Sequence, residues 1–199
     1  MIDRRWRVAL VAFVLAGCAA AVPPPPASIR VVAVFPPLNE TGEELLIAGG
    51  SILEKYVFHT ERFTVTDVLA AEARSLLAQR GYDVVSPAAV EKAVGAQPPD
   101  SRYAAAMLAK ERGFGGAVMF IDLRRWVYSS PDAIIVSLRV DVVESGTGRV
   151  LWSADRPSRP VSTQGTIDIA NAYYVAARRV MSEALESFTP PADGAAAPD

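Results

Sequence analysis

Cysteine and histidine are almost absent from this chain of 199 residues: Cys18 and His59 stand alone. One cysteine closes no disulfide within the chain, so the fold has to rely on its core. A zinc site needs clustered His, Cys or carboxylate ligands at short spacing, and one His and one Cys do not supply them. A Ser-His-Asp arrangement would have to run through His59, and neither Gly-x-Ser-x-Gly nor Ser-x-x-Lys occurs. His59, between Phe58 and Thr60, reads as a loop histidine. Excess positive charge is missing as well. The chain has 20 Lys and Arg against 22 Asp and Glu, a net charge of −2, which leaves no electrostatic footprint for nucleic acid or for an anionic membrane surface. Gly113-Phe114-Gly115-Gly116 lacks the Lys-Ser/Thr of a phosphate loop; it reads as a helix stop followed by close packing. There is no internal repeat, and no pattern here calls for a cofactor or a metal.

What the chain does have is apolar content, 51% hydrophobic against 21% charged, and enough length for one globular domain. It also has a distinctive start. Arg4, Arg5 and Arg7 precede an apolar run from Val8 to Ala16, too short to span a bilayer as a stable helix. Leu15-Ala16-Gly17-Cys18 follows. Basic region, apolar run, small residues and cysteine in this register resemble a bacterial lipobox. The resemblance implies cleavage between Gly17 and Cys18, lipidation of Cys18 with three acyl chains of the palmitate kind, and a membrane tether. A single acyl chain holds a protein only marginally, at about 0.8 kcal/mol per buried methylene, and several together anchor it durably. Ala19 stands where inner-membrane retention often uses Asp, so outer-membrane sorting is implied, with the domain facing the periplasm. The alternative is a plain cleaved leader with a chance cysteine. Without residues 1–17 the balance becomes 17 basic against 21 acidic residues, a net −4.

The organisation expected is a signal peptide over 1–17, a lipidated Cys18 with a Pro-rich tether over 18–28, one α/β domain over 29–188, and a disordered Pro/Ala/Gly/Asp tail over 189–199. Ile29 to Phe35 is a β-branched run of the kind buried on both faces, hence central and parallel. Pro36-Pro37 stops it, and Asn39-Glu40-Thr41-Gly42 forms a polar turn. Leu45 to Phe58 mixes apolar residues, Gly49-Gly50 and a capping-box-like Ser51–Glu54, which a hairpin or an Ω-like loop would satisfy. Thr64 to Arg80 is an amphipathic helix with capping-box spacing and Gly81 behind it. A short strand over Tyr82–Val85 follows. Ser86-Pro87 opens a two-turn helix ending at Gly95, and Asp100 or Ser101 caps another that runs to Arg112. Ala117–Tyr128 is a strand. Ile134 to Val142 alternates as a half-buried antiparallel strand, and Ser145-Gly146-Thr147-Gly148 turns it into Arg149–Ala154. A polar connection from Asp155 to Gly165 leads to a last helix ending near Phe188. The fold class is therefore α/β: a mixed sheet of about five strands in the order β-α-β-α-α-β-β-β-α, parallel at its start and an antiparallel meander at its end, with helices packed on it.

Several strings in this layout resemble small envelope lipoproteins. Phe35-Pro36-Pro37-Leu38-Asn39-Glu40-Thr41-Gly42 is similar to the opening of CsgG-like and LpoB-like domains. Arg80 to Pro87 is similar to their first helix end and second strand, and Asp141 to Ser153 to their Thr-Gly hairpin with Leu-Trp. The amino-terminal domain of TolB has a related fold, and a vaccine-candidate lipoprotein family shares Pro-Pro-Leu-Asn-Glu. The resemblance spans residues 29–188. It implies an assembly or accessory role in the cell envelope through protein–protein binding, without catalysis, and leaves homo-oligomers open.

Two surfaces suggest partner contacts. Asn39, Glu40 and Thr41 follow the carboxyl end of a central parallel strand, the edge where ligands usually sit. Asp122, Arg124, Arg139 and Asp141 fall on the polar faces of neighbouring strands, and Phe120, Trp126 and Tyr128 are expected on that same side, as aromatics interleaved with Arg at interface centres. Cross-strand ion pairs under a covering last helix would explain the same residues. Two other function classes stay open. A self-assembling subunit of an outer-membrane secretion channel would need amphipathic hairpins beyond those closing the core, with Leu45–Phe58 the place to look. A cell-wall hydrolase would need paired carboxylates such as Glu40 and Glu54.

Overall fold

The computed structural model describes residues 26, 29–48, 62–95, 97–130, 132–163, 166 and 168–189. The leader, Gly17, Cys18, Glu54 and His59 lie outside them, as do nearly all of the Pro-rich stretch and the tail.

Strand β1 (Val31–Val34) is central. It pairs in parallel with β5 (Asp83–Val84) on one side and with β6 (Ala117–Ser130) on the other. Val32, Ala33, Val34 and Phe35 are completely buried, as a β-branched run with both faces covered should be. Beyond Pro36-Pro37 the chain does not go straight into a turn. It forms a two-residue strand β2 (Leu38–Asn39), parallel to β6, because a proline that ends one ladder leaves the chain extended and free to pair further along the same neighbour. Strand β7 (Ala133–Glu144) and strand β8 (Val150–Ser162) complete an antiparallel meander. The sheet order is β5-β1-β6-β7-β8 with β2 beside β6, six strands where about five were expected. A separate antiparallel pair joins β3 (Leu46–Ala48) to β4 (Arg62–Thr64); most of the ambiguous segment Leu45–Phe58, residues 49–58, lies outside the described residues.

Helix positions follow from their caps. α1 (Val65–Gln79) starts at Thr64, whose side chain accepts from the Asp67 amide while the Asp67 carboxylate takes the Thr64 amide, a complete capping box. Ser86 caps α2 (Pro87–Val94), with proline at its first position. Ser101 caps α3 (Arg102–Glu111), and Asp168 caps α4 (Ile169–Ala184) by accepting from the Ala170 and Asn171 amides. α1 and α4 cover one sheet face over Val32, Val34, Met119, Ile121, Leu138 and Trp152. α2 and α3 cover the other over Ala33, Phe35, Val118, Phe120 and Val143. The parallel start with helical crossovers is thus as the sequence pattern predicts.

β8 overturns one expectation. Residues 155–162 are not a polar connection but the second half of a strand paired with β7, Ile135 opposite Pro160 and Ala133 opposite Ser162. Its polar residues and two prolines hid it from a periodicity argument. An outermost strand can contain proline because an amide on its free side has no neighbour to bond.

Gly116 shows why the glycine run ends where it does. Its φ is +83°, and a Cβ there would sit 2.5 Å from the Val31 carbonyl oxygen. Gly116→Ala is therefore expected to cost about 2–4 kcal/mol, strain and clash together. Gly113→Ala, also at positive φ but with open space around it, should cost about 1 kcal/mol. Urea denaturation midpoints of the two variants check the difference.

Candidate functional site: a charged groove on the sheet

α2 and α3 cover only the first part of their sheet face. Past Phe120 the outward residues of β6, β7 and β8 turn polar. Leu38, Glu40, Asp100, Arg102, Phe120, Asp122, Arg124, Arg139 and Asp141 line an open groove of about 210 Å³ between the amino end of α3, the β2 loop and the sheet.

Asp141 organises it. Its side chain is only 6% exposed, and every part of the carboxylate is engaged. Arg139 Nε donates to both oxygens at 2.9 and 3.0 Å, Arg102 Nη1 donates at 3.1 Å and Ser153 Oγ at 2.6 Å. A buried carboxylate is tolerable only when paired and hydrogen-bonded in this way. Arg102 opens α3, a helix with no acidic residue in its first turn. A cation there opposes the helix dipole, and Asp141 offsets it from across the sheet. The Arg139 Nη groups have no partner among the described residues, so the guanidinium held at Nε retains hydrogen-bonding capacity.

A second set lies alongside. Arg124 Nε donates to Asp122 Oδ2 at 2.8 Å, and Nη1 reaches Asp155 at 3.4 Å. The Asp122 hydrogen bond, with Asp155 and Glu40 nearby, raises the Arg124 pKa above its ordinary value. The other Asp122 oxygen is buried with no partner among the described residues.

The predicted residues divide between places. Glu40, Phe120, Arg124 and Arg139 converge on the groove. Asn39 and Thr41 shape its rim: Asn39 Oδ1 accepts from the Thr41 amide at 3.1 Å and the Thr41 hydroxyl at 2.7 Å, and Asn39 Nδ2 donates to the Glu43 carbonyl at 2.8 Å. Their polar groups are used to fold the turn. Trp126 and Tyr128 do not share a side with Phe120. The β6–β7 register shifts between Leu123 and Arg125. An extra residue in one strand exchanges the two faces beyond it. Phe120 packs with α2 and α3, whereas Trp126 joins the core under α4 and meets Tyr173 edge-on at 5.5 Å. The last helix thus covers Trp126 and leaves the charged face open. Arg102, Ser153 and Asp155 were missed, since only the packing of α3 and β8 on the face of β7 brings them to Asp141 and Arg124.

Among the described residues no group of three or more His, Cys, Asp or Glu could hold a metal ion, and no helix is long and apolar enough to cross a membrane.

No family model matches the sequence and no curated protein matches it. Solved structures with a similar chain path include the lipoprotein GNA1162 from Neisseria meningitidis, at 21% identity and TM-score 0.48, covering 78% of this chain and 98% of that one. The PelC dodecamer from Paraburkholderia phytofirmans is similar at 11% identity and TM-score 0.44, covering 85% and 94%. The LpoB C-terminal domain from Salmonella enterica is similar at 16% identity and TM-score 0.39, covering 77% and 93%. At these identities and TM-scores the likeness says nothing about the chemistry of the groove.

Asp141→Asn removes the charge on which two guanidinium groups converge and should destabilise the fold by about 3 kcal/mol, read as a lowered urea midpoint. Tyr173, beside Trp126, has its pKa raised by burial first and then by Glu43 and Tyr128, and burial also raises that of Tyr82. A raised tyrosine pKa favours the folded state below the unfolded value of about 10, and that advantage is lost as pH climbs through the folded value. Stability should therefore fall on the alkaline side of pH 10. The Tyr82→Phe/Tyr173→Phe double variant should flatten the fall in thermal melts taken across that range.

Proposed function

We propose that the chain is a lipid-anchored protein of the bacterial envelope that works by binding other envelope proteins and does no catalysis of its own. Cys18 carries the acyl groups, and the outer membrane, on its periplasmic side, is where Ala19 directs it. The charged groove is the contact surface. The observation that carries this reading is Asp141: a buried, fully bonded carboxylate that fixes Arg102 and Arg139 at an open face, with Arg139 Nη groups unspent. Fixed guanidinium groups beside an aromatic ring are what protein interfaces use at their centres. Glu40 and the Asp122–Arg124 pair supply charge of the other sign on the same floor, so the surface selects a partner that itself carries both.

Pro26 and Ile29 lie at the end of the sheet where β1 and β6 begin, beside Gly116, Glu144 and Arg149. From Ala117 to Arg124, β6 advances roughly 24 Å at about 3.4 Å per residue. The groove therefore lies well up the sheet from the side on which Cys18 would be anchored.

The test is crosslinking of the wild-type chain in intact envelopes. Recovered protein should carry acyl mass at Cys18, and Cys18→Ala should leave the membrane fraction. Glu40→Lys with Arg139→Gln, folded by circular dichroism, should lose the crosslinked partner. A free thiol on Cys18 overturns the anchor; a partner retained by the groove variant overturns the contact surface.

A further inference from the structure

Eight large apolar side chains are exposed among the described residues, and they gather at the two ends of the sheet. Leu46, Val127, Tyr128 and Ile169 lie at the far end, where β6 and β8 finish and α4 begins. Val31, Tyr103, Met107 and Val150 lie at the near end, where β1, β6 and β8 begin. The near group shares one face. Val31 stands two residues before Ala33, on the side that α2 and α3 cover. Val150 is opposite Val143, on that same side. Tyr103, 60% exposed, and Met107 are one turn apart on α3. Glycines let these side chains lie against the backbone. A Cβ at Gly116 would sit 3.0 Å from Val31 Cβ, one at Gly148 2.7 Å from the Tyr103 ring, and one at Gly146 2.6 Å from the Lys110 side chain.

The chain path says what lies against this end. Pro26 and Ile29 border it beside Gly116 and Arg149, and Cys18 comes eight residues before Pro26. Eight fully extended residues reach about 28 Å at most. The far end stands roughly 40 Å further on, the length of the 14-residue β6. With Cys18 held in a bilayer, the connection is too short for the far end to stand on that bilayer, and long enough for the near end to do so. Charges at the near end nearly cancel. Arg149 pairs with Glu144 at 3.1 Å, and Arg112 approaches Glu111 at 4.0 Å. Arg30 precedes β1 beside Asp83, whose amide bonds its carbonyl. Little field then repels a lipid surface or selects an anionic one, so the apolar side chains decide the contact.

We propose that the face formed by Val31, Tyr103, Met107 and Val150 rests on the zwitterionic lipid surface into which the acyl chains of Cys18 insert. The inference rests on the reading of Cys18 as the lipid anchor and adds an orientation to it. Tyr103 has an apolar ring with a polar tip, and Lys110 beside it has a long apolar stem with a charged head; both suit the level of lipid headgroups. Four side chains alone bind a membrane weakly. On a domain already tethered the contact is intramolecular, and a weak one suffices. It holds the sheet on end, with Leu46, Tyr128 and Ile169 away from the bilayer.

The test reconstitutes the acylated full chain into phosphatidylcholine vesicles that contain nitroxide-labelled lipid. One fluorophore is placed on Met107→Cys or on Ile169→Cys, acylation leaving Cys18 no thiol to label. The label at Met107 should be quenched at least threefold more strongly than the label at Ile169. Tyr103→Asp with Val150→Asp, folded by circular dichroism, should abolish that difference while the protein still floats with the vesicles. Equal quenching at the two positions, stronger quenching at Ile169, or quenching at Met107 that the double variant leaves unchanged overturns the face and leaves the anchor standing. A chain that does not float and has a free thiol on Cys18 overturns the anchor, and this face with it.

Discussion

Everything in this fold is arranged around β6. It is the one strand that pairs with β1, β2 and β7, and its first half must be dry on both faces. Ala117 to Ile121 are all buried, so neither helical layer is optional: α1 and α4 dry one side, α2 and α3 the other. That requirement sets the parallel crossovers before it and the meander after it, since a two-residue hairpin cannot connect parallel neighbours and a helix can. It also explains the glycines leading into it. The chain must pass beneath the Val31 carbonyl closely enough that no Cβ fits at Gly116.

The second half of β6 obeys a different constraint, and the bulge at Arg124 is the boundary. Up to Phe120 the α3 face is apolar; Asp122 and Arg124 then make it polar, and past the bulge the strand exchanges its faces and Trp126 turns under α4. The charged face is not weak packing left over from folding. A buried ion network such as Asp141 with Arg102, Arg139 and Ser153 contributes little net stability compared with an apolar filling of the same volume, because desolvating the ions consumes most of the attraction. Its effect is geometric. It holds the first turn of α3 and two neighbouring strands in one register, and fixes guanidinium groups where a hydrophobic replacement would offer none.

Much of this was legible in the sequence, for reasons that can be named. α1, α2 and α3 were readable because Thr64, Ser86 and Ser101 cap them locally, α4 because Ile169, Tyr173, Ala177, Val180 and Ala184 recur every three or four residues, and β1 because a continuous β-branched run has few other uses. Four of the eight partner-contact residues met at one groove because Glu40 follows the end of β1 while Phe120, Arg124 and Arg139 keep strict alternation up to the bulge. The failures have separate causes. Period-2 reasoning assumes an unbroken strand, and a single inserted residue sent Trp126 and Tyr128 to the opposite face. Likewise Pro157 and Pro160 disguised the end of β8, because proline is evidence against a central strand and says little against an outermost one. Arg102 was invisible for a different reason: its partner Asp141 is 39 residues away, and only packing brings α3 to β7.

The same bulge and the same prolines divide the surface into regions with different physics. On the α3 face, uncovered sheet is kept soluble by fixed charges of both signs, so it selects by complementarity and by register. On the β8 edge, Pro157 and Pro160 with the exposed Arg159 between them guard against pairing with other chains, and only over the distal half. Had aggregation been the sole concern, a lysine or a third proline between Val150 and Asp155 would have closed the rest at little cost to β7 pairing, since an outward amide contributes nothing to that ladder. The six residues Val150–Asp155, which contain no proline, are a local exception to the rule the chain follows a few residues later. Departures of this kind from a chain's own local consistency tend to mark where function has overridden folding.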